Sequence, residues 1–296
     1  MEISNKRNTK ATLTFLLLTF ALSGIFYYLI IDSGTMADGN QLYILGLMWC
    51  PGFAAIITTF ILKRNLKKLG WEWGRTKYQL QSYFIPLLYT FVAYIIVWIF
   101  QFGSLSTVWF QEKANEFLGL EEINFVPAFV LVMLFIGIVG VINSALTAAG
   151  EEIGWRGFLV PELYKSQGFT KTSLISGFIW GIWHLPIVVF ADYNSGTPIL
   201  FSAICFMLLI LSISFIYTWY RIKSGSLWTA VILHSSHNLF IQGLFTPITE
   251  DTGNTAFYID EFGIILPLVT IGFAVYFWTK RKELKPGIEI LSYSYS

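Results

Sequence analysis

Ala149-Gly150-Glu151-Glu152-Ile153-Gly154-Trp155-Arg156-Gly157 decides how this sequence is read, because two adjacent carboxylates and an arginine stand at the end of a long apolar run. A charge at membrane depth costs a few kcal/mol and is kept only where it lines a polar cavity or is paired. On a helix Arg156 lies four residues after Glu152, the spacing at which side chains meet, whereas Glu151 points about 100° away. Glu152 is therefore expected to be paired. Something else must use Glu151.

The composition around this stretch is that of a membrane protein. Of 296 residues 55% are apolar and only 12% charged, against roughly 25% charged in a soluble domain. Aromatic residues reach 18%, as expected where Trp and Tyr collect at membrane interfaces. A net charge of +1 indicates no partner, and no basic, aromatic-studded surface segment suggests nucleic acid. Cys50 and Cys205 lie in apolar runs; two cysteines give neither a disulfide framework nor a cysteine metal site, and both read as small buried hydrophobes.

A hydrocarbon core of about 30 Å needs around 20 apolar residues in helix. Eight such runs occur, near residues 11–31, 41–62, 80–102, 126–149, 172–191, 199–220, 226–246 and 262–279. The fold class is thus all-α, a polytopic bundle of about eight transmembrane helices. The fourth run is expected to continue through the opening motif and stop at Pro161, which cannot donate a helical hydrogen bond. Basic residues accumulate on the cytoplasmic side. Lys6, Arg7 and Lys10, then Lys63 to Lys77, Lys165 and Lys171, Arg221 and Lys223, and Lys280 to Lys285 fall in alternate segments; of 19 basic residues only Lys113 and the motif's Arg156 stand apart. Asp32, Asp38, Glu112, Glu116, Glu121, Glu122, Asp192, Glu250, Asp251, Asp260 and Glu261 fill the opposite loops. Both termini are therefore expected in the cytoplasm.

The first run has a basic start and small residues, Ala21 and Ser23, like a cleavable signal, but it continues to Ile31 and suits an anchor better. The loop from Lys63 to Gln79, with Trp71 and Trp73, reads equally as an amphipathic segment on the membrane or a solvated basic loop. A short extracytoplasmic helix is expected within 103–125, and the tail from Lys285 to Ser296 is too short to fold alone. Three regions result: residues 1–125 with spans one to three, 126–246 with the core, and 247–296 with the last span and tail.

All three histidines lie in spans. His184 closes Trp180-Gly181-Ile182-Trp183-His184, and His234, His237 and Asn238 share one helical face at i, i+3 and i+4. A single such histidine would read as interhelical glue worth about 1 kcal/mol. Two glutamates, an arginine, three histidines and an asparagine confined to three spans read as a functional site. Gly177 and Gly181, and Ala145 and Ala149, have the small-x-x-x-small spacing that lets such spans approach. Counted along the helices, the histidines lie well inside the bilayer and Glu151 near its cytoplasmic end, so tilt or a longer fourth span must bring them together.

Amide hydrolysis needs a base for water, donors for an oxyanion and a wet cavity. A carboxylate with a neutral imidazole supplies the first; one Glu with two His, such as Glu151, His184 and His234, could instead hold zinc. His-Glu-x-x-His is missing, and Ser235 and Ser236 lack a Gly-x-Ser-x-Gly setting. A proton relay or transporter also uses such residues but more often shows an inverted repeat, which this sequence lacks.

Glu151-Glu152-x-x-x-Arg156-Gly157, the aromatic-x-x-x-His ending at His184, and His234-x-x-x-Asn238 resemble the three motifs of the CAAX-protease and bacteriocin-processing family, also called Abi or CPBP, over about residues 140–245. Leu185-Pro186 and Leu227-Trp228 agree, while Trp180 stands where the family usually has Phe and His237 has no counterpart. The resemblance implies an intramembrane endopeptidase in which Glu151 and His184 activate water, His234 and Asn238 stabilise the oxyanion, and Glu152 with Arg156 braces the first motif. Family members are discussed as metal-free glutamate or zinc enzymes, so no cofactor is certain and zinc stays open. The implied partners are the bilayer and a membrane-associated peptide or protein substrate. The site is expected to be reached from the cytoplasm, and short loops without an organellar signal favour a bacterial plasma membrane. A non-proteolytic scaffold or bacteriocin self-immunity protein is the alternative on the same fold.

Overall fold

An apolar run in lipid has no water for its backbone groups and must close its own hydrogen bonds as a helix. The computed structural model, which describes residues 2–34, 41–120 and 123–285, is accordingly a helical bundle. Helices α1 (Glu2–Asp32), α2 (Gln41–Ile61) and α3 (Thr76–Ile99) cover the first three runs, and α4 (Val108–Leu118) is the short helix expected before the fourth. The fourth run is α5 (Phe125–Phe135) and α6 (Val141–Glu152), joined by a π turn at Ile136–Gly140. A second π turn, Ile153–Leu159, leads into α7 (Val160–Phe190), followed by α8 (Ile199–Ser224), α9 (Trp228–Phe240) with a terminal π turn Ile241–Phe245, and α10 (Ile265–Thr279). The only sheet among the described residues is a two-stranded antiparallel ribbon, β1 (Ser104–Leu105) with β2 (Thr249–Glu250). Among the described residues, five helical stretches are long and apolar enough to cross a membrane by length and composition, one of them the 66-residue Phe125–Phe190. That one is two spans: Gly168, at φ 68° and ψ 178°, breaks the helix and returns the chain so that Trp180 meets Glu151.

The helix does not stop at Pro161, contrary to expectation. Within the π turn Val160 donates to the carbonyl of Trp155, five residues back, so the acceptor that Pro161 cannot serve is the carbonyl of Arg156. Arg221 Nε donates to that carbonyl at 2.7 Å. The helix therefore tolerates the proline.

Small residues set the approach of the site-bearing helices. A Cβ on Gly154 would sit 2.4 Å from Pro51 Cβ, and one on Gly150 would sit 2.7 Å from the Met48 carbonyl. The expected Gly177 and Gly181 pair does the same on α8, against Ser214 and Met207. Helix α1 packs in the bundle, with Trp183 Nε1 donating to the buried Ser23 hydroxyl at 2.7 Å.

The Lys63 to Gln79 loop follows neither reading in full. A 3₁₀ turn at Leu66–Leu69 ends in Gly70 at φ 93°, and the loop folds over the start of α9, where Leu227 N–H donates to the Gly70 carbonyl at 2.7 Å. Trp71 and Trp73 stay exposed. The tail expectation beyond Lys285 lies outside the described residues.

Candidate active site

The opening motif divides as its helical spacing requires. Glu152 Oε1 accepts from Arg156 at 2.8 Å, and both side chains are essentially fully buried. The guanidinium is held between two rings, with Cζ 4.1 Å from the Trp180 centroid and 4.4 Å from that of Tyr217. A charged group can lie here because each face meets a π system while its edge meets a carboxylate. Glu152 has a second task that sequence reasoning missed: its Oε1 also lies 2.9 Å from His234 Nδ1. With Nδ1–H donating to Glu152, the other ring nitrogen of His234 is left for the cavity.

Glu151 belongs to a different network. Its Oε2 accepts from Trp180 Nε1 at 2.7 Å and from Trp155 Nε1 at 3.3 Å. Trp155 is four residues on, the same spacing that pairs Glu152 with Arg156, so this bond was legible in the sequence. Trp180 was expected to provide an aromatic wall equivalent to the usual Phe, but its indole N–H makes a bond that Phe cannot. His184 sits 3.0 Å from the Trp180 carbonyl through Nδ1; Nδ1–H donates there and Nε2 is left free to accept.

Glu151, Trp180, His184, His234 and Asn238 line one cavity of about 160 Å³. His237, Tyr193, Gln242 and Glu261 complete its far end. His237 bridges Tyr89, whose hydroxyl is 2.5 Å from Nδ1, and Glu261, 3.1 Å from Nε2. Glu261 also accepts from Gln242 at 2.9 Å and Tyr193 at 3.0 Å. Burial works to raise the Glu261 carboxyl, but the bonds from His237, Gln242 and Tyr193 outweigh it and leave it below the usual glutamate value. Asp260 moves oppositely: burial first, then the Glu261 charge, push it up to about 6. No local spacing announced Glu261 or Tyr193, since each reaches the site from a connecting segment far along the chain.

Glu151, His184 and His234 share the cavity, yet among the described residues no three His, Cys, Asp or Glu side chains converge to hold a metal ion. The bonds to the two indoles and to Glu152 use Glu151 Oε2 and His234 Nδ1, and leave Glu151 Oε1 and His234 Nε2 to the cavity.

Every residue from Glu151 to Val160 is buried, and Arg221 fastens this stretch to the carbonyls of Leu69 and Gly225.

Comparison with known proteins bears on the same residues. The family model described as "Type II CAAX prenyl endopeptidase Rce1-like" matches residues 122–240, a range that holds the three motifs and stops short of Gln242 and Glu261. Over 264 residues the chain is 26% identical to CAAX prenyl protease 2 of Methanococcus maripaludis, covering 85% of this chain and 90% of that one. It is 24% identical over 277 residues to the uncharacterized protein YyaK of Bacillus subtilis, covering 86% of this chain and 80% of that one.

Proposed function

We propose that this chain, a multi-pass membrane protein similar to the CAAX-protease (CPBP) endopeptidases, hydrolyses a peptide bond with water activated by Glu151. The observation that carries this reading is the pair of indole donors on Glu151 Oε2. They compensate a buried carboxylate on one oxygen and leave Oε1 to face the cavity. Water held between Oε1 and His184 Nε2 gives a proton to Glu151 as its oxygen adds to the peptide carbonyl carbon. The charge that develops on the carbonyl oxygen is met by His234 Nε2–H and the Asn238 side-chain amide. As a donor through Nε2 while Nδ1–H faces Glu152, His234 carries both protons, and Glu152 supplies the countercharge. The proton on Glu151 then passes to the amine nitrogen as the C–N bond breaks. Glu152, Arg156 and Trp180 position these groups without touching substrate, and no step requires a metal. The substrate is a membrane-associated peptide or protein.

The purified protein offered a peptide library tests this reading. Glu151→Gln and His184→Ala are each expected to cut turnover by roughly 10²–10⁴, with chelator changing nothing. Cleavage that survives both substitutions would overturn the assignment. Loss of activity on chelation with recovery on adding zinc would overturn its metal-free form.

A further inference from the structure

We infer that the groove between α3, α8 and α10 holds one anionic phospholipid of the cytoplasmic leaflet, with its phosphate at a basic mouth and its acyl chains along apolar walls. The inference is independent of peptide hydrolysis, because the groove is separated from the active-site cavity by Tyr89. That ring packs against Phe273 of the groove, with centroids 5.8 Å apart, and its hydroxyl bonds to His237 of the cavity.

The shape comes from how the helices splay. Deep in the membrane α3 and α10 meet directly, at Tyr89 and Phe273. Towards the start of α3 and the end of α10 each rests on α8 instead. The Tyr78 ring lies 6.4 Å from that of Trp219 and 6.3 Å from that of Tyr220, and Phe277 lies 5.3 and 5.5 Å from the same two. The result is a groove of about 1130 Å³ with an aromatic floor, larger than the roughly 300–1,000 Å³ of a small-molecule pocket. Its walls face lipid. Leu88 and Leu268 are more than half exposed, and a Cβ on Gly272 would meet nothing within 4 Å, so an acyl chain can lie against the backbone of α10. The walls run about 22 Å along α3 from Lys77 to Val92 and about 18 Å along α10 from Lys280 to Leu268. One leaflet with its headgroups is about 20 Å, so the groove has the length of one lipid and not of a spanning helix.

The mouth carries the charge. The start of α3 and the ends of α8 and α10 lie at the cytoplasmic face, and there the groove is lined by Arg75, Lys77, Lys223 and Lys280 with one carboxylate, Glu283. Lys223 and Lys280 share Glu283, at 3.5 and 2.9 Å. Among the described residues no carboxylate pairs with Arg75 or Lys77, and both are exposed. Gln81 Oε1 accepts from the Tyr220 hydroxyl at 3.3 Å, which leaves the Gln81 amide N–H groups for a phosphate or ester oxygen. A phosphate carried on apolar chains suits both halves of the groove. The ammonium of a zwitterionic headgroup would meet the same positive rim and gain nothing from it.

Native mass spectrometry of the purified protein in detergent tests this, with dioleoyl phosphatidylglycerol and dioleoyl phosphatidylcholine as probes. The anionic lipid is expected to bind one per chain and at least roughly tenfold more tightly, with the preference shrinking as ammonium acetate is raised. Arg75→Ala combined with Lys77→Ala is expected to weaken phosphatidylglycerol roughly 10- to 30-fold and to leave phosphatidylcholine nearly unchanged. Gly272→Phe, which fills the groove and keeps its charge, is expected to abolish the tight adduct at an unchanged unfolding temperature. Equal affinity for the two lipids, or a preference that salt does not alter, overturns the inference on the unsubstituted protein alone, whether or not a variant folds. Phosphatidylglycerol binding that survives both variants overturns the site. Two results overturn the occupant: a dimer that Gly272→Phe splits means that a second copy fills the groove, and a neutral farnesylated peptide that binds there more tightly than phosphatidylglycerol means that it serves a lipidated peptide.

Discussion

Trp180 is where chemistry and packing meet in one side chain. Its indole N–H bonds to Glu151, its ring stacks on Arg156, and its carbonyl fixes His184. Trp180→Phe keeps the ring and backbone and deletes only the N–H. A hydrogen bond to a charged group is worth about 1.5–3 kcal/mol, so turnover is expected to fall roughly ten- to 150-fold with little change in the unfolding temperature. Equal activity would mean that this donor does not set the state of Glu151. The division of Glu151 from Glu152 was legible because it depends on helical spacing alone. The bonds from Tyr193 and Gln242 to Glu261 were not, since they join segments far apart in sequence.

Asp260 supplies a second test at this scale. Burial and the neighbouring Glu261 raise it to about 6, although Ser195 and the Glu261 N–H stabilise its charged form. An unfolded aspartate titrates near 3.9. Between these values the folded state holds a proton that the unfolded state gives up, so stability falls as pH rises from about 4 to about 6 and the penalty is complete above that. Asp260→Asn is therefore expected to raise the unfolding temperature at pH 7.5, with the gain shrinking towards pH 4. A gain independent of pH would remove the titration argument.

At the scale of elements, the sequence located the spans but misjudged one boundary and one loop. Pro161 should end an α-helix, and it would if the chain were α-helical there; the π turn moves the unserved carbonyl to Arg156, where Arg221 serves it. The compensating donor lies 65 residues away, so no local rule reveals it. The same distance problem hides the Lys63 to Gln79 loop, whose structure comes from contacts with α9 rather than from its own pattern. Helix α2 meets the π turn at Gly154, where an added Cβ would lie 2.6 Å from the Pro51 carbonyl carbon. Both neighbours there are rigid, so Gly154→Ala is expected to destabilise by about 1–3 kcal/mol, read as a lower unfolding temperature in detergent. Unchanged stability would show that the helices separate freely at this contact.

At the scale of the molecule, α2, α6, α7, α8 and α9 enclose one buried polar cavity. The all-helical membrane architecture was legible because apolar run length and charge alternation are properties of the whole chain. How the motif is fastened was not, because that depends on how the Lys63 to Gln79 loop and Arg221 pack against it. The central claim is that the two neighbouring carboxylates have different work, Glu151 on water and Glu152 on the frame. It is tested most directly by measuring peptide cleavage per folded molecule for Glu151→Gln beside Glu152→Gln. Glu151→Gln is expected to unfold like the unsubstituted protein and to cleave roughly 10²–10⁴ times more slowly, while Glu152→Gln, which strands a buried Arg156, is expected to lose about 3–5 kcal/mol of stability. Glu151→Gln protein that cleaves at the unsubstituted rate would contradict the account.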